Sequence, residues 1–450
     1  MEIATIKRGK PYLFTDVKKW GGKGDNLLKL AEVFNVAQGF TISSDTHQEW
    51  IDRNNLRETI KQAHSQKNPE TAYKQISDVF ANARFGRHET SRLEREFNKL
   101  KHPVAVRSSS IDEDGNKNSF AGQHESILGV TSFPEFLSAV EQVYASLYTP
   151  RAIAYRKSQG LPNESSIALV VQQMVNPVSS GVAYSPSPNN PSEILIESTW
   201  GLCTSVVDGR PCDIYRVLDT ITGNTIDDIS NKKREMDVFN RRKKRVETVS
   251  TSARQAKSSS LSQRQILRIA QTVKSIERAY GMPMDMEFAF EEEIEEPYVL
   301  QARPITGLNL TEKKIILPNI EANKILAKSK NTRNQGIFEG PAVVVRGVDH
   351  VNKRFDIDGD LIEMNRQYSN GYILIAPEVP PQLEQHVTNA RGMYATECGT
   401  TGHAAAIAVE KGIIYLGRGA STTPNLLSTL KSGTKVGIAV SKDEGIVYLS

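Results

Sequence analysis

Two runs, Met284-Asp285-Met286-Glu287-Phe288-Ala289-Phe290 and Tyr298-Val299-Leu300-Gln301-Ala302-Arg303-Pro304, alternate as strands do, and the stretch from Glu291 to Pro297 between them is polar and turn-like. This pattern leaves the chain little freedom here. The runs pair as a hairpin centred near residue 294. That centre sets Glu287 opposite Gln301, and the period of two adds Asp285 and Arg303 to the same face. Carboxylate and amide oxygens, Glu287 and Gln301, suit a hexacoordinate Mg2+ that also takes phosphate oxygens, while Arg303 suits phosphate directly. A hairpin whose polar face meets only water is the plain alternative.

Arg107 follows the short apolar strand Val104-Ala105-Val106 and opens Arg107-Ser108-Ser109-Ser110, with Ser119-Phe120-Ala121-Gly122-Gln123 further on. A guanidinium with small hydroxyls and a flexible Ala-Gly loop makes a phosphate clamp: Arg107 spreads its fork over two oxygens, and backbone amides around Ser119, Gly122 and Gln123 approach the rest. Lys23, in Gly21-Gly22-Lys23-Gly24, offers a point charge for the same task. The glycines read as a loop feeding an amphipathic helix from Asn26, with Leu27, Leu30, Ala31 and Phe34 at helical spacing. The spacing is not that of a P-loop.

His403 stands in Gly399-Thr400-Thr401-Gly402-His403-Ala404-Ala405-Ala406. The residues from Ala404 to Lys411 are free of Pro and Gly, and Gly412 supplies a stop. A helix therefore starts at the histidine. Free N–H groups and the positive end of the helix dipole favour a phosphate dianion there and disfavour imidazolium, so His403 can act as a neutral nucleophile and phosphate carrier. The bland reading is a helix-start histidine bonded to backbone or solvent.

A chain of 450 residues exceeds one compact core, so two or three domains are expected. No apolar stretch approaches the roughly 18 residues that span a bilayer, and the N-terminus lacks the apolar run and cleavage site of a secretory signal. A cytoplasmic protein is expected. Cys203, Cys212 and Cys398 are odd in number and lack metal-ligand spacing, which reads as reduced, structural thiols. A formal net charge of +4 is too small to imply nucleic acid. One segment is locally basic: Lys232-Lys233-Arg234, then Arg241-Arg242-Lys243-Lys244-Arg245, bracketed by Ser-rich sequence. It reads as a solvated loop, or else as a basic flap over triphosphate or a docking patch for an acidic partner.

Along the chain, residues 45–101 read as two or three surface helices. Short strands follow at Ile167 to Gln173, Gly181 to Tyr184 and Glu193 to Glu197, and Ser262 to Tyr280 reads as a helix ending at Gly281. From Gly336 the pattern is strand and turn around the His403 helix: Ala342 to Val345, Gly371 to Ala376, Ile413 to Gly417, Val436 to Val440 and Gly445 to Leu449.

Taken in order, these motifs resemble the phosphoenolpyruvate synthase and pyruvate phosphate dikinase family, which includes rifampin phosphotransferase. The quotable matches also include Val171-Gln172-Gln173-Met174-Val175, Ser180-Gly181-Val182-Ala183 and Asp443-Glu444-Gly445-Ile446-Val447-Tyr448. The resemblance implies a multidomain α/β and α+β protein: an ATP-grasp nucleotide domain over residues 1–310, a linker at 311–335 and a small swivelling phosphohistidine domain over 336–450. By that likeness Lys23 and Arg107 hold ATP phosphates, Glu287 and Gln301 bind Mg2+, and Arg303 meets phosphate. Gln173, Met174 and Val175 would line the adenine. ATP would yield AMP and phosphate, the β-phosphoryl passing through His403 to a small-molecule acceptor. Two features depart from the pattern: Gly402 stands where Ser or Cys is usual before the histidine, and Trp200-Gly201-Leu202-Cys203-Thr204 lacks the usual Gly-Glu pair. Neither a pyruvate-binding barrel after the histidine segment nor an inserted drug-binding domain is expected, so the acceptor site is expected from elsewhere, a partner subunit being one source. An ATP-dependent ligase using the same phosphohistidine, the ATP-hydrolysing subunit of a two-component kinase and a non-catalytic nucleotide-binding protein are the alternatives. No nucleic acid and no membrane partner is expected.

Overall fold

The computed structural model describes residues 1–12, 15–64, 66, 68–110, 126–150, 152–153, 166–187, 192–208, 210–228, 233–305, 315–349, 354–357, 361–379, 387–398, 403–421, 425–441 and 444–450. Ser119, Gly122 and Gln123 lie outside them. The chain divides into two compact units, residues 1–177 with 238–248 and 285–306, and residues 178–237 with 249–284 and 307–450. Among the described residues no helix is long and apolar enough to cross a membrane.

In the first unit, β1 (Ile3–Ile6), β2 (Gly39–Ile42), β3 (Val104–Ser110), β4 (Ser126–Val130) and β5 (Ile167–Gln173) form an antiparallel sheet of order β1-β2-β5-β3-β4. α1 (Val17–Leu30) lies against β3 and β5. α2 (Ser44–Arg53), α3 (Arg57–His64), α4 (Pro69–Phe80), α5 (Arg87–Asn98) and α6 (Phe133–Ala145) share one core with Phe40, Ile42, Val104, Val106, Leu169 and Val171 of the sheet. Four helices therefore occupy residues 44–98, where two or three surface helices are expected from sequence. They are not surface decoration: Trp50, Ile76, Phe80, Leu93 and Phe97 are buried. The frequent charges mark only their outer faces, and the apolar positions at helical spacing close the core.

The second unit contains the antiparallel meander β6 (Ser179–Ser185), β7 (Ile194–Trp200), β8 (Asp213–Val217) and β9 (Thr225–Asp228). Between this meander and the next helix the chain forms a ribbon, β10 (Glu235–Asn240) and β11 (Arg245–Ser250), with a turn at 241–244; its residues 238–248 belong to the first unit. Residues 241–245 thus form the turn and the first β11 residue of a hairpin. Lys233 at its root is fully buried and ion-paired with Asp213 at 2.5 Å. α7 (Gln263–Tyr280) packs Ile266, Ile269, Val273 and Ile276 inward, starts on the Ser262–Gln265 capping box and stops at left-handed Gly281. In the first unit, β12 (Met284–Phe290, from Asp285 on) and β13 (Tyr298–Pro304) are hydrogen-bonded neighbours, as the alternating pattern requires.

A mixed sheet completes the second unit: β14 (Ile325–Ser329), β15 (Thr332–Arg333), β16 (Gly336–Asp349), β17 (Arg354–Ile357), β18 (Tyr372–Ala376), β19 (Ala390–Ala395), β20 (Ile414–Leu416), β21 (Ala420–Ser421), β22 (Lys435–Val440) and β23 (Gly445–Leu449). Its centre, β16-β18-β19-β20, is parallel, and β22 and β23 add antiparallel strands. The segment expected as a linker contributes β14 and β15: Ile325, Leu326 and Ala327 are buried, and β14 pairs with β23. α8 (His403–Lys411) connects parallel strands β19 and β20, buries Ala404, Ala405, Ile407 and Ala408 beside Tyr372, Leu374 and Met393, and is followed by Gly412 at φ +66°.

Candidate active site

The β3–β5 register sorts the first unit's sheet into two faces. Val104 and Val106 stand opposite Gln173 and Val171 on the helical-layer side, whereas Ala105, Arg107 and Ser109 stand opposite Gln172, Val170 and Ala168 on the other. α1 occupies that second side. It does not follow a four-residue glycine loop, as the sequence suggests, but begins at Val17, where the Asp16 side chain accepts from the Lys19 N–H at 3.0 Å, and breaks at a single residue, Gly21 (φ +66°). A Cβ on Gly21 would overlap the carbonyl and hydroxyl of Ser109. Ser109 Oγ donates to the Trp20 carbonyl at 2.7 Å and accepts from the Gly24 N–H at 2.9 Å. The glycines thus let the helix settle on the strand at Ser109, two residues from Arg107 and on its face. Lys23, half-buried, lies in that same turn.

Arg107 reaches the β12–β13 hairpin. Its Nη1 donates to the Leu300 carbonyl at 3.1 Å, and its Nη2 donates to Gln301 Oε1 at 2.8 Å and Glu287 Oε2 at 3.3 Å. Arg303 Nε donates to Asp285 Oδ2 at 2.8 Å. Asn26 Nδ2 donates to the Ala302 carbonyl at 3.3 Å, which ties α1 to β13. The structure therefore gathers Arg107, Glu287 and Gln301, sets the Arg303–Asp285 pair beside them by the strand period, and supports the group from α1. Ser109, Asn26 and the Leu300 carbonyl complete the arrangement and are not singled out by sequence reasoning. Ser109 alone leaves a trace there, as the alternate residue to Arg107 in a serine run.

Two oxygens, Glu287 Oε2 and Gln301 Oε1, converge on one cationic nitrogen. Hard oxygens aimed at a single positive centre fit a Mg2+ that takes its other ligands from phosphate oxygens and water. Among the described residues no group of three or more His, Cys, Asp or Glu side chains could hold a metal.

The other candidates stand on other elements. Gln173 is the last residue of β5 and falls, by register, on the helical-layer face. Its N–H donates to the Gln38 carbonyl at 2.9 Å. Met174 follows with its thioether accepting from the Gly129 N–H at 3.0 Å, and both Met174 and Val175 are half-buried. His403, in the second unit, is the first residue of α8, on the chain between the carboxyl end of β19 and β20. In that unit burial pushes the Cys212 and Cys398 thiols well above their usual range, in keeping with structural sulfhydryls.

Residues 17–324 match the family model described as "Pyruvate phosphate dikinase, AMP/ATP-binding domain". A Pyrococcus abyssi protein described as "Probable phosphoenolpyruvate synthase" is 30% identical over 364 residues, covering 79% of this chain and 42% of the relative. The "Phosphoenolpyruvate synthase" of Pyrococcus furiosus is 29% identical over 385 residues, covering 84% of this chain and 42% of its own. The chain thus spans less than half the length of these relatives. A match running through more than two thirds of the residues, and containing Lys23, Arg107, Glu287, Gln301 and Arg303, places this chain in the pyruvate phosphate dikinase AMP/ATP-binding domain family.

Proposed function

We propose that the chain is a dikinase-type phosphotransferase that converts ATP to AMP and phosphate and passes the β-phosphoryl group through His403 to a small-molecule acceptor. The reading rests above all on the convergence of Glu287 and Gln301 on Arg107 Nη2, at 3.3 and 2.8 Å, inside the family-matched segment. In it, residues 1–310 act as an ATP-grasp nucleotide domain and residues from 336 onward as a swivelling phosphohistidine domain, with Met174 and Val175 at the adenine.

The residues divide the work by charge. Arg107 is a planar fork set on Leu300, Gln301 and Glu287, and its donors pass to the developing charge on the phosphates as Glu287 and Gln301 turn to the metal. Lys23 adds a point charge from α1, and Arg303 meets a further phosphate oxygen. Glu287 and Gln301 would hold Mg2+, which supplies charge neutralisation across neighbouring phosphates. A helix start such as that of α8 disfavours imidazolium and favours a dianion, which suits a histidine at position 403 that takes up a phosphoryl group. The His403 imidazole attacks the β-phosphorus and AMP leaves with the α–β bridging oxygen; water attacks the γ-phosphorus, which departs as inorganic phosphate and leaves the β-phosphoryl on the imidazole.

Incubation with ATP labelled at the β or the γ position tests this. Acid-labile protein label should come from the β position and vanish in His403→Ala, with AMP formed in step. Label from the γ position alone would refute the proposal. Acceptors can then be screened by AMP release; a condensed product in place of a phosphorylated one would identify a ligase using the same carrier.

A further inference from the structure

Asp25 has no exposed surface, and a carboxylate taken fully out of water is kept only where donors surround it. Among the described residues three reach it. Tyr12 Oη donates to Asp25 Oδ1 at 2.7 Å, the Asp16 N–H donates to the same oxygen at 2.8 Å, and Lys29 Nζ pairs with Oδ2 at 2.7 Å from one turn further along α1. Burial first, and then the bond to Asp25, push the Tyr12 phenol up, so it remains a donor at neutral pH. The same N-terminal segment is laid along the end of the helix: the Gly9 N–H donates to the Ala31 carbonyl at 2.8 Å, and the Tyr12 N–H donates to the Glu32 carboxylate.

A carboxylate so held could serve only to fasten that segment. Its place in α1 argues for more. Gly21, at φ +66° and ψ 169°, interrupts the ladder of the helix, so helical hydrogen bonds alone do not fix residues 17–20 against residues 22–30. Asp16 spans the break: its carboxylate caps the first half by accepting from the Lys19 N–H at 3.0 Å, and its N–H donates into the second half at Asp25. From the sheet, Ser109 spans it too, through the Trp20 carbonyl and the Gly24 N–H. Lys23 stands between these two ties, next to Gly24 and two residues before Asp25.

We propose that Asp25 is a positioning residue for Lys23: through Asp16 it staples the two halves of the broken helix, and so sets the backbone from which Lys23 meets nucleotide phosphate. Lys23 takes its role from the phosphotransfer reading, and the staple rests on that reading for its use. The effect on ATP of removing the carboxylate should therefore run through Lys23.

Calorimetric titration with Mg-ATP on the intact chain tests this in two backgrounds, wild type and Lys23→Met, with the rate of β-label uptake at subsaturating ATP as the measure where binding is too weak to titrate. Asp25→Ala should weaken Mg-ATP about tenfold in the wild type and less than about twofold in Lys23→Met. Asp25→Asn keeps an oxygen for Tyr12 and Asp16 and should stay within about threefold of wild type. Equal losses from Asp25→Ala in both backgrounds, or Asp25→Asn as weak as Asp25→Ala, overturn the inference. If Asp25→Ala does not fold, Tyr12→Phe removes one donor in its place and should weaken Mg-ATP about threefold in the wild type and leave it unchanged in Lys23→Met; equal losses again overturn the inference. Amide hydrogen exchange over residues 17–24 should quicken in either variant without any nucleotide, and unaltered exchange refutes the staple. A wild type that does not bind Mg-ATP refutes the phosphotransfer reading, and the role of Lys23 falls with it, whereas a wild type that binds and shows equal losses refutes this inference alone.

Discussion

At Gly21 the backbone adopts φ +66° and has no room for a side chain beside Ser109, so two independent penalties fall on one replacement. Gly21→Ala should cost more than about 1 kcal/mol in urea unfolding and weaken Mg-ATP binding in a titration, because Lys23 rides on the same turn. Arg107→Lys keeps the charge and loses the fork: an ammonium cannot hold the Leu300 carbonyl and Gln301 in the same planar arrangement. Label uptake at His403 should slow by roughly 100-fold while the unfolding midpoint moves little. His47 governs a different property. It is wholly buried, and burial, with a smaller contribution from the Arg57 charge, lowers its pKa from 6.5 to about 3. Its folded pKa lies below its unfolded one, so the stability of the neutral ring is complete above pH 6.5 and is lost as pH falls toward 3. Urea midpoints measured across that range should drop for the wild type and drop less for His47→Leu.

Among the elements, the β10–β11 ribbon depends on a charge at its root. Lys233 and Asp213 are both fully buried, and Asp213 also accepts from the N–H and hydroxyl of Ser260 at 2.8 and 2.7 Å. Lys233→Met would leave that carboxylate uncompensated and should destabilise the protein by about 3–5 kcal/mol. Exposed Arg234→Met should change it by less than about 0.5 kcal/mol, and denaturant unfolding of both variants checks the contrast. The same ribbon marks where sequence reading runs out. The β12–β13 hairpin and α8 are legible because the chemistry that builds them is local: alternation around a polar turn, and an alanine-rich run closed by Gly412. The ribbon shows no such alternation, since both its faces meet some water, and the burial of Lys233 is decided by an aspartate on another strand. The glycine run shows the same limit. Four residues could have bent the chain, and Ser109, brought in by a distant strand, selects Gly21. Arg107, Glu287 and Gln301 could be named from sequence, but the partner each would find on the sheet could not.

On the scale of the whole chain, the first unit is assembled from three separated stretches, the last of them residues 285–306. A fragment of residues 1–324 keeps all three and lacks His403, so it should bind Mg-ATP, measured by calorimetric titration, and take up no acid-labile label from β-labelled ATP. The interleaving also has a temporal side. Arg107 is separated from its partner Gln301 by 194 positions. At synthesis rates of about 5–20 residues per second, a growing polypeptide holds that guanidinium without its final partners for roughly 10–40 s. Ribosome-bound intermediates that have not yet released the second strand of the hairpin should therefore remain open to protease, and maturation of the Arg107 group is timed by translation of the stretch between it and Gln301.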